Sequence, residues 1–438
     1  MKYIKSPYIL EAMSFDKQGY WLFNTWNRKL KFFNIQEYTD YKNNVIDNKK
    51  VDILTRDLFL IDAQTNIYQW SKDLYYEKCL SDKTLSVTIM PTMACNFRCF
   101  YCYENHDAIR MTGKMQDLVI AAIIDRMKEY DSLRVEWFGG EPLLEIETIV
   151  DISSKLIDYC KESGKSYIAS MTTNGYLLTY DNYCLLKTKC RVMYYQVSID
   201  GNKNDHDQSR PLSNGGGTFD KIISNLKDIK ANEKSSLVKI CIRTNYTASN
   251  IIHRKDWERY LHNEFLDDRR FTYIPKIAWN NYRNEENNYK YLSLSFGSSL
   301  TNLNDPTNLQ NDFLKAFMDL NTVSKGEICY ASKPNSIIIG PEGKLMKCTV
   351  HLDSDINNVG YIDANGKFVI NSFEKSYWVK ETVDDTCLSC PIFPICLAGC
   401  GCRYKHRNNS MCEKETKTLV RLLEELPYNE VFVHNIWT

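Results

Sequence analysis

The sequence has no excess of charge of either sign: Lys plus Arg and Asp plus Glu both total 55 in 438 residues, and the formal net charge is zero. A surface built to hold nucleic acid or an anionic membrane carries a basic block, and none is present, so polyanion binding is set aside. Long apolar runs are also missing. No stretch of about 18 apolar residues is available to span a bilayer. The opening MKYIKSPYILEAMSFDKQ lacks the uninterrupted apolar centre of a secretion signal, and a cytoplasmic protein with no membrane or nucleic-acid partner is expected.

Cysteine, by contrast, is plentiful. Sixteen thiols in a chain expected in a reducing compartment are poor candidates for disulfides, and metal ligation is the better expectation. Eight of them, Cys329, Cys348, Cys387, Cys390, Cys396, Cys400, Cys402 and Cys412, fall in the last quarter of the chain. Cys79, Cys160, Cys184, Cys190 and Cys241 stand alone in helix-like or strand-like segments and read as small buried apolar side chains. The other three, Cys95, Cys99 and Cys102 in MACNFRCFYCYE, are one ligand short of a four-thiolate site.

A length of 438 residues suggests two or three domains, and 43% hydrophobic with 25% charged residues is a globular composition. Residues 1–80 offer the strand-like runs YWLFNT and KLKFFN, two short polar helical stretches and LFLID, the order of a small winged-helix-like module. From Leu85, apolar strand candidates alternate with amphipathic helix candidates, the rhythm of a parallel sheet with crossover helices. The strands are expected at 85–90, 134–138, 166–172, 192–199, 238–244 and 270–274. Each of the first five ends in an unusual loop: MACNFRCFYC, GGEP, TNG, DG and NYT. In barrels of this class, functional groups collect at the carboxyl ends of the strands. Six repeats are too few for eight, so the expected fold is α/β with a partial (β/α)6 TIM barrel over 81–310. Polar residues 276–310 read as a surface insertion or a lid, and a cysteine-rich domain follows over 311–438.

Three thiolates on a cluster leave one iron open to a small molecule. The C-x3-C-x2-C spacing of Cys95, Cys99 and Cys102 resembles the signature of radical S-adenosylmethionine (SAM) enzymes, in which the amino and carboxylate groups of the cosubstrate's methionine part chelate that iron. Further positions match the family. Tyr101 is similar to the aromatic residue that packs on the adenine. GGEP maps Gly139, Gly140 and Glu141 onto the turn whose backbone lines the methionine amino group. Ser198 and Arg210 resemble the pair that holds the carboxylate, a role suited to a planar guanidinium fork. No side chain stands out as the catalytic acid or base.

The tail resembles the SPASM domain, a twin-cluster extension of radical enzymes that modify peptides. The resemblance implies that Cys329, Cys348 and Cys400 hold one auxiliary 4Fe-4S cluster, while Cys387, Cys390, Cys396 and Cys412 hold the other. Three 4Fe-4S clusters are then expected, with one ligand position unassigned. Cys402, a substrate thiolate or solvent are the alternatives for it. Anaerobic sulfatase-maturing enzymes share this architecture and look for a proton-accepting Asp directly after the cysteine corresponding to Cys348. Here that residue is Thr349, whose hydroxyl does not accept a proton near neutral pH, although His351 and Asp353 lie close by.

The resemblance implies an enzyme that cleaves SAM reductively and abstracts hydrogen from a peptide, forming a carbon-carbon or carbon-sulfur cross-link in a ribosomally made precursor. The partners implied are a precursor peptide with a leader, read by residues 1–80 unless these are a plain stabilising extension, and an external one-electron donor such as flavodoxin or ferredoxin. The alternatives are a maturase oxidising a folded protein and a non-catalytic electron carrier. An electron carrier has no use for groups that hold a methionine amine and carboxylate.

Overall fold

A computed structural model describes residues 2–247, 249–278, 328–380, 382–397 and 409–426, and the chain divides into two compact units. The first unit contains the residues up to Asp82 together with those described in 328–334 and 376–426. Its strands are β1 (Tyr3–Lys5), β2 (Ile9–Met13), β3 (Gly19–Asn24), β4 (Lys29–Asn34) and β5 (Leu60–Asp62). β2, β3 and β4 form an antiparallel sheet in that order, and β1 pairs with β5.

Alternation sends Trp21, Phe23, Leu30 and Phe32 to one face of the three-stranded sheet, where they pack with Ile392, Ile395 and with Leu419, Leu422 and Leu423 of the helix Asn409–Glu424. Leu22 and Phe33 face the other way, against Tyr41, Leu54 and Phe59. The helices on that side, Ile35–Lys42 and Asn48–Arg56, start at Asn34 and Asp47, whose side chains accept from the first-turn amides. Both faces of a small sheet are thus buried, one of them by residues almost 400 positions later in the chain.

The second unit contains the parallel strands β6 (Thr84–Ile89), β7 (Ser132–Trp137), β8 (Ser166–Thr173), β9 (Val192–Ser198), β10 (Lys239–Tyr246) and β11 (Phe271–Ile277), side by side in sequence order. Each lies within three residues of its expected place. Helices Gly113–Arg126, Ile146–Glu162, Tyr180–Cys190, Phe219–Asn232 and Arg254–Leu261 make the crossovers. Ile149, Ile152, Leu156 and Cys160, spaced by three and four, are the buried stripe of the second of them. On the far side of β6 the sheet continues with β12 (Ser336–Ile339), parallel to it, and with β13 (Lys344–Met346), β14 (Gly360–Ile362) and β15 (Phe368–Ile370), all antiparallel to their neighbours.

A sheet of six parallel strands brings all their carboxyl ends to one edge, so the five unusual loops share it. From residue 279 onward the expected insertion lies outside the described residues. Thirteen cysteines of the described residues are thiols rather than disulfides. Cys79, Cys160, Cys190 and Cys241 are buried and Cys184 is half-buried. No described helix is long and apolar enough to cross a membrane.

Candidate functional site

The cysteine loop leaves β6 and closes on itself. Met93 N–H donates to Ile109 O at 3.0 Å and Met111 N–H to Pro91 O at 2.9 Å, with Thr92 bridged to Arg110. Its middle is tied to the segment beyond β9: Phe97, fully buried, bridges Leu212, while Arg98 N–H donates to Pro211 O and Ser213 N–H to Asn96 O. The GGEP turn after β7 supports the loop from another side. Gly140 and Glu141 donate their N–H groups to Thr92 O and Ala94 O at 3.3 and 2.9 Å. Gly139 has φ +123°, and a Cβ there would lie 2.4 Å from Thr92 O. These glycines are required because loop carbonyls occupy the space a side chain would take.

Glu141 links three of the strand ends. Its carboxylate is 1% exposed and accepts from Thr173 Oγ1 and Asn174 N–H of the TNG loop, each at 2.7 Å, and from Leu143 N–H at 3.1 Å. Burial pushes its pKa up, against the pull of these donors. Asn174 in turn donates from Nδ2 to Asn96 Oδ1 at 2.7 Å, with Cys95 Sγ 4.0 Å away.

Asp200, of the DG loop, is fully buried and gathers the next set of groups. Tyr101 donates its hydroxyl to Asp200 Oδ2, Asn245 donates its backbone N–H to Oδ1 at 2.9 Å, and Arg210 Nη1 donates to Tyr101 Oη at 2.6 Å. The Arg210 guanidinium lies over the Phe97 ring at 5.9 Å. Burial alone would lower the pKa of Arg210, but Cys99, Tyr101 and Asp200 hold it charged. Ser198 ends β9 in register with Arg243 of β10, and among the described residues no hydrogen bond joins it to Arg210. The structure therefore gathers Tyr101, Arg210, Gly139, Gly140 and Glu141 around the cysteine loop and leaves Ser198 without a direct tie to its expected partner.

Burial raises Cys95 to about 12 and Cys102 to about 11, and Cys99 upward too. Cys99 lies near enough to Cys95 and Cys102 to add to the rise of their pKa values. Phe97 N–H donates to Cys95 Sγ at 3.4 Å. Among the described residues no three of His, Cys, Asp and Glu converge as ligands of a single metal ion. Two buried polar atoms at the loop have no hydrogen-bond partner, Arg210 Nε and Glu104 Oε2. Asp200, Asn245, Asn174 and Glu104 were not singled out by sequence reasoning. The signal for the first three was their place in the quoted strand-end loops DG, NYT and TNG.

In the tail, Cys387 and Cys390 border one apolar cluster of the first unit, while Cys390 and Cys396 belong to the next. Cys412 lies in the helix Asn409–Glu424, and Cys400 and Cys402 lie outside the described residues. Cys329 caps the short helix Tyr330–Ser332 of the first unit. Cys348 is buried in the second, in a loop held by Asn357, which accepts from the N–H groups of Lys347 and Cys348 and donates to Cys348 O and His351 O. Thr349 follows, half-buried. Asp353 accepts from Asn105 Nδ2, three residues beyond Cys102, at 3.2 Å.

A parallel α/β sheet whose carboxyl edge carries a three-thiol loop, clamped by the next four strand-end loops, defines the class of protein. Residues 89–253 match the Radical SAM superfamily, so the chain carries a Radical SAM domain. Proteins of this superfamily work with SAM and a 4Fe-4S cluster. The chain is 24% identical over 382 residues to a cysteine-type anaerobic sulfatase-maturating enzyme of Clostridium novyi (strain NT), covering 79% of this chain and 97% of that one. The fold is similar to that of anSMEcpe with bound AdoMet, at a TM-score of 0.52 and 17% identity over 78% of this chain and 100% of the other. SuiB of Streptococcus suis bound to its precursor peptide SuiA gives a TM-score of 0.44 at 18% identity over 91% and 95%, a likeness too distant to bear on function.

Proposed function

We propose that this chain is a cytoplasmic peptide-modifying radical SAM enzyme that installs a carbon-carbon or carbon-sulfur cross-link in a ribosomally made peptide. The observation that carries the reading is the cysteine loop itself: three thiols held by four neighbouring loops, with two buried, unpartnered polar atoms, Arg210 Nε and Glu104 Oε2, beside them. The residues fit the cofactors. Cys95, Cys99 and Cys102 supply soft thiolate ligands for three irons of a 4Fe-4S cluster, with amide donors near sulfur, a common feature of such sites. Arg210 offers its free Nε to a carboxylate. The amide hydrogens of Gly140 and Glu141 are occupied by the cysteine loop, while the carbonyl oxygens of this turn are the acceptors an ammonium group needs. The Glu141 side chain is committed to the TNG loop, and its part is played by its backbone. The tether on its hydroxyl fixes the ring of Tyr101 as a surface for the adenine, and Ser198 ends β9, two residues before Asp200.

When bound, the cluster and SAM supply hydrogen-atom abstraction from an unactivated C–H bond, chemistry that no side chain of the protein can perform. The protein holds the cosubstrate and keeps water from it. We assign Cys387, Cys390, Cys396 and Cys412 to one auxiliary 4Fe-4S cluster and Cys329, Cys348 and Cys400 to another, with Cys402, substrate or solvent at its fourth position. Support comes from the shared apolar surroundings of Cys387, Cys390 and Cys396. In this reading residues 1–80 are the leader-binding module, 81–310 the partial barrel and 311–438 the cluster domain. β4 is an edge strand of its sheet and fits addition of an extended peptide. Electrons come from an external flavodoxin or ferredoxin.

One observation favours a second reading: the Clostridium novyi enzyme is matched over 97% of its length, which suits oxidation of a residue in a folded protein. Thr349 opposes it, and Asp353, in contact with Asn105 of the cysteine loop, is the carboxylate that would have to accept the proton in its place. Co-expression with a short peptide encoded beside the gene, followed by mass spectrometry, separates the readings. A cross-link removes two hydrogens and suppresses fragmentation between the joined residues. Oxidation of a single residue with no such gap would favour the second.

A further inference from the structure

His206 is completely buried in the short helix Lys203–Ser209, and the functional reading above leaves it unused. Its ring is hydrogen-bonded at both nitrogens. Asp200 donates its backbone N–H to Nδ1 at 3.0 Å, and Nε2 lies 3.0 Å from Thr218 Oγ1. Thr218 Oγ1 in turn donates to Arg210 O at 2.8 Å. Burial and the nearby Arg210 lower the pKa of His206 well below its usual value, so the ring is neutral. A neutral imidazole has one donor and one acceptor. Since Asp200 N–H can only donate, Nδ1 is the acceptor and the proton sits on Nε2. The direction of the whole chain is then fixed: Asp200 N–H to His206, His206 Nε2–H to Thr218, and the Thr218 hydroxyl to the Arg210 carbonyl.

Arg210 is held at its other backbone group as well, its N–H donating to His206 O at 2.8 Å. Thr218 has little freedom, because its own N–H and that of Phe219 both donate to Asp207 Oδ1, at 2.7 and 2.9 Å. The relay therefore joins two groups that meet again at Tyr101: Asp200, which accepts from the Tyr101 hydroxyl, and Arg210, which donates to it.

We propose that His206 is a positioning residue that, acting through Thr218 and Asp200, sets the Arg210 guanidinium for the carboxylate of the cosubstrate. The proposal rests on the reading of Arg210 as the carboxylate holder, and the test separates the two. Binding to the anaerobically reconstituted protein is measured by equilibrium dialysis for SAM and for its decarboxylated analogue, which keeps the sulfonium and adenosine. Thr218→Val, which removes the hydroxyl at nearly constant shape, is expected to weaken SAM between about threefold and tenfold, the worth of one net hydrogen bond. The analogue should bind as before, and Thr218→Ser should restore SAM. His206→Leu should act in the same direction. If Arg210→Ala weakens SAM selectively while Thr218→Val weakens neither ligand, or both equally, the relay is structural and the proposal falls, though the role of Arg210 stands. If Arg210→Ala does not discriminate the two ligands, the reading of Arg210 itself falls. Nitrogen NMR of histidine-labelled protein checks the relay without a mutation: His206 must be the Nε2–H tautomer, and an Nδ1–H form or an imidazolium overturns it.

Discussion

A Cβ placed on Gly140 would sit 2.3 Å from the carbonyl oxygen of Ala94, one residue before Cys95. The turn after β7 is therefore moulded to the cysteine loop, and a methyl group there must push the loop away. Gly140→Ala is expected to cost on the order of 1–3 kcal/mol of local strain and to lower the iron bound after anaerobic reconstitution, with the circular dichroism of the sheet unchanged. Gly113→Ala is the control, since a Cβ there meets nothing within 4 Å. Equal iron in both variants would show that the contact is not needed.

Glu141 accepts from three donors and donates to none of them. Glutamine must turn an NH2 group toward at least one of those donors, leaving it unsatisfied. Glu141→Gln is expected to lower unfolding stability by about 1–3 kcal/mol, measured by chemical denaturation of the iron-free protein. A change much smaller than that would mean that the carboxyl is already protonated and donating.

Asp57 anchors the first unit. It is 1% exposed and paired with Lys31 at 2.8 Å, Lys29 and Arg56. Burial would raise its pKa, yet these partners hold it down to about 2 from an ordinary 3.8. Its folded-state pKa is depressed, so the stabilisation is complete above about pH 4 and lost as the pH falls toward 2. Glu233, held at about 2 against burial by Lys187, Tyr183 and the N–H of Ser235, acts in the same sense in the second unit. Unfolding midpoints of the wild type should fall over that range. Asp57→Asn should be less stable at neutral pH and show a shallower acid dependence, and an unaltered profile would remove the pair from consideration.

Thr349 and Asp353 give opposite expectations. Thr349→Ala should leave turnover of the peptide unchanged, because the hydroxyl takes up no proton near neutrality. Asp353→Asn preserves an acceptor for Asn105 and removes the base. If Asp353 accepts the substrate proton, the variant loses about a hundredfold or more in product formation while cleavage of SAM continues, as read by chromatography of both products. Equal loss from the two variants would contradict this.

Much of the second unit was legible in the sequence because a parallel strand buried on one face by helices repeats its apolar residues with little ambiguity, and the loops at its carboxyl end break that pattern visibly. Cys95, Cys99 and Cys102 carried the site by their spacing, and GGEP by its two adjacent glycines. What could not be read depends on contacts distant in sequence. Nothing in GYWLFN indicates that Trp21 and Phe23 are covered by Leu419, Leu422 and Leu423. Histidine at 206 carries no local signal at all, since its role comes from Asp200 and Thr218 meeting it at two ring nitrogens. Arg210 could be picked out as a guanidinium, but not its tether to Tyr101, which brings together residues 109 positions apart.

The most direct measurement is the anaerobic incubation of iron- and sulfide-reconstituted protein with SAM and a strong reductant, followed by quantification of 5'-deoxyadenosine. The wild type should form it, and replacing any one of Cys95, Cys99 and Cys102 by alanine should abolish it while the folded sheet persists. Formation of the same product by the triple alanine variant, or a wild type that binds zinc in place of iron and forms none, would contradict the assignment of the loop.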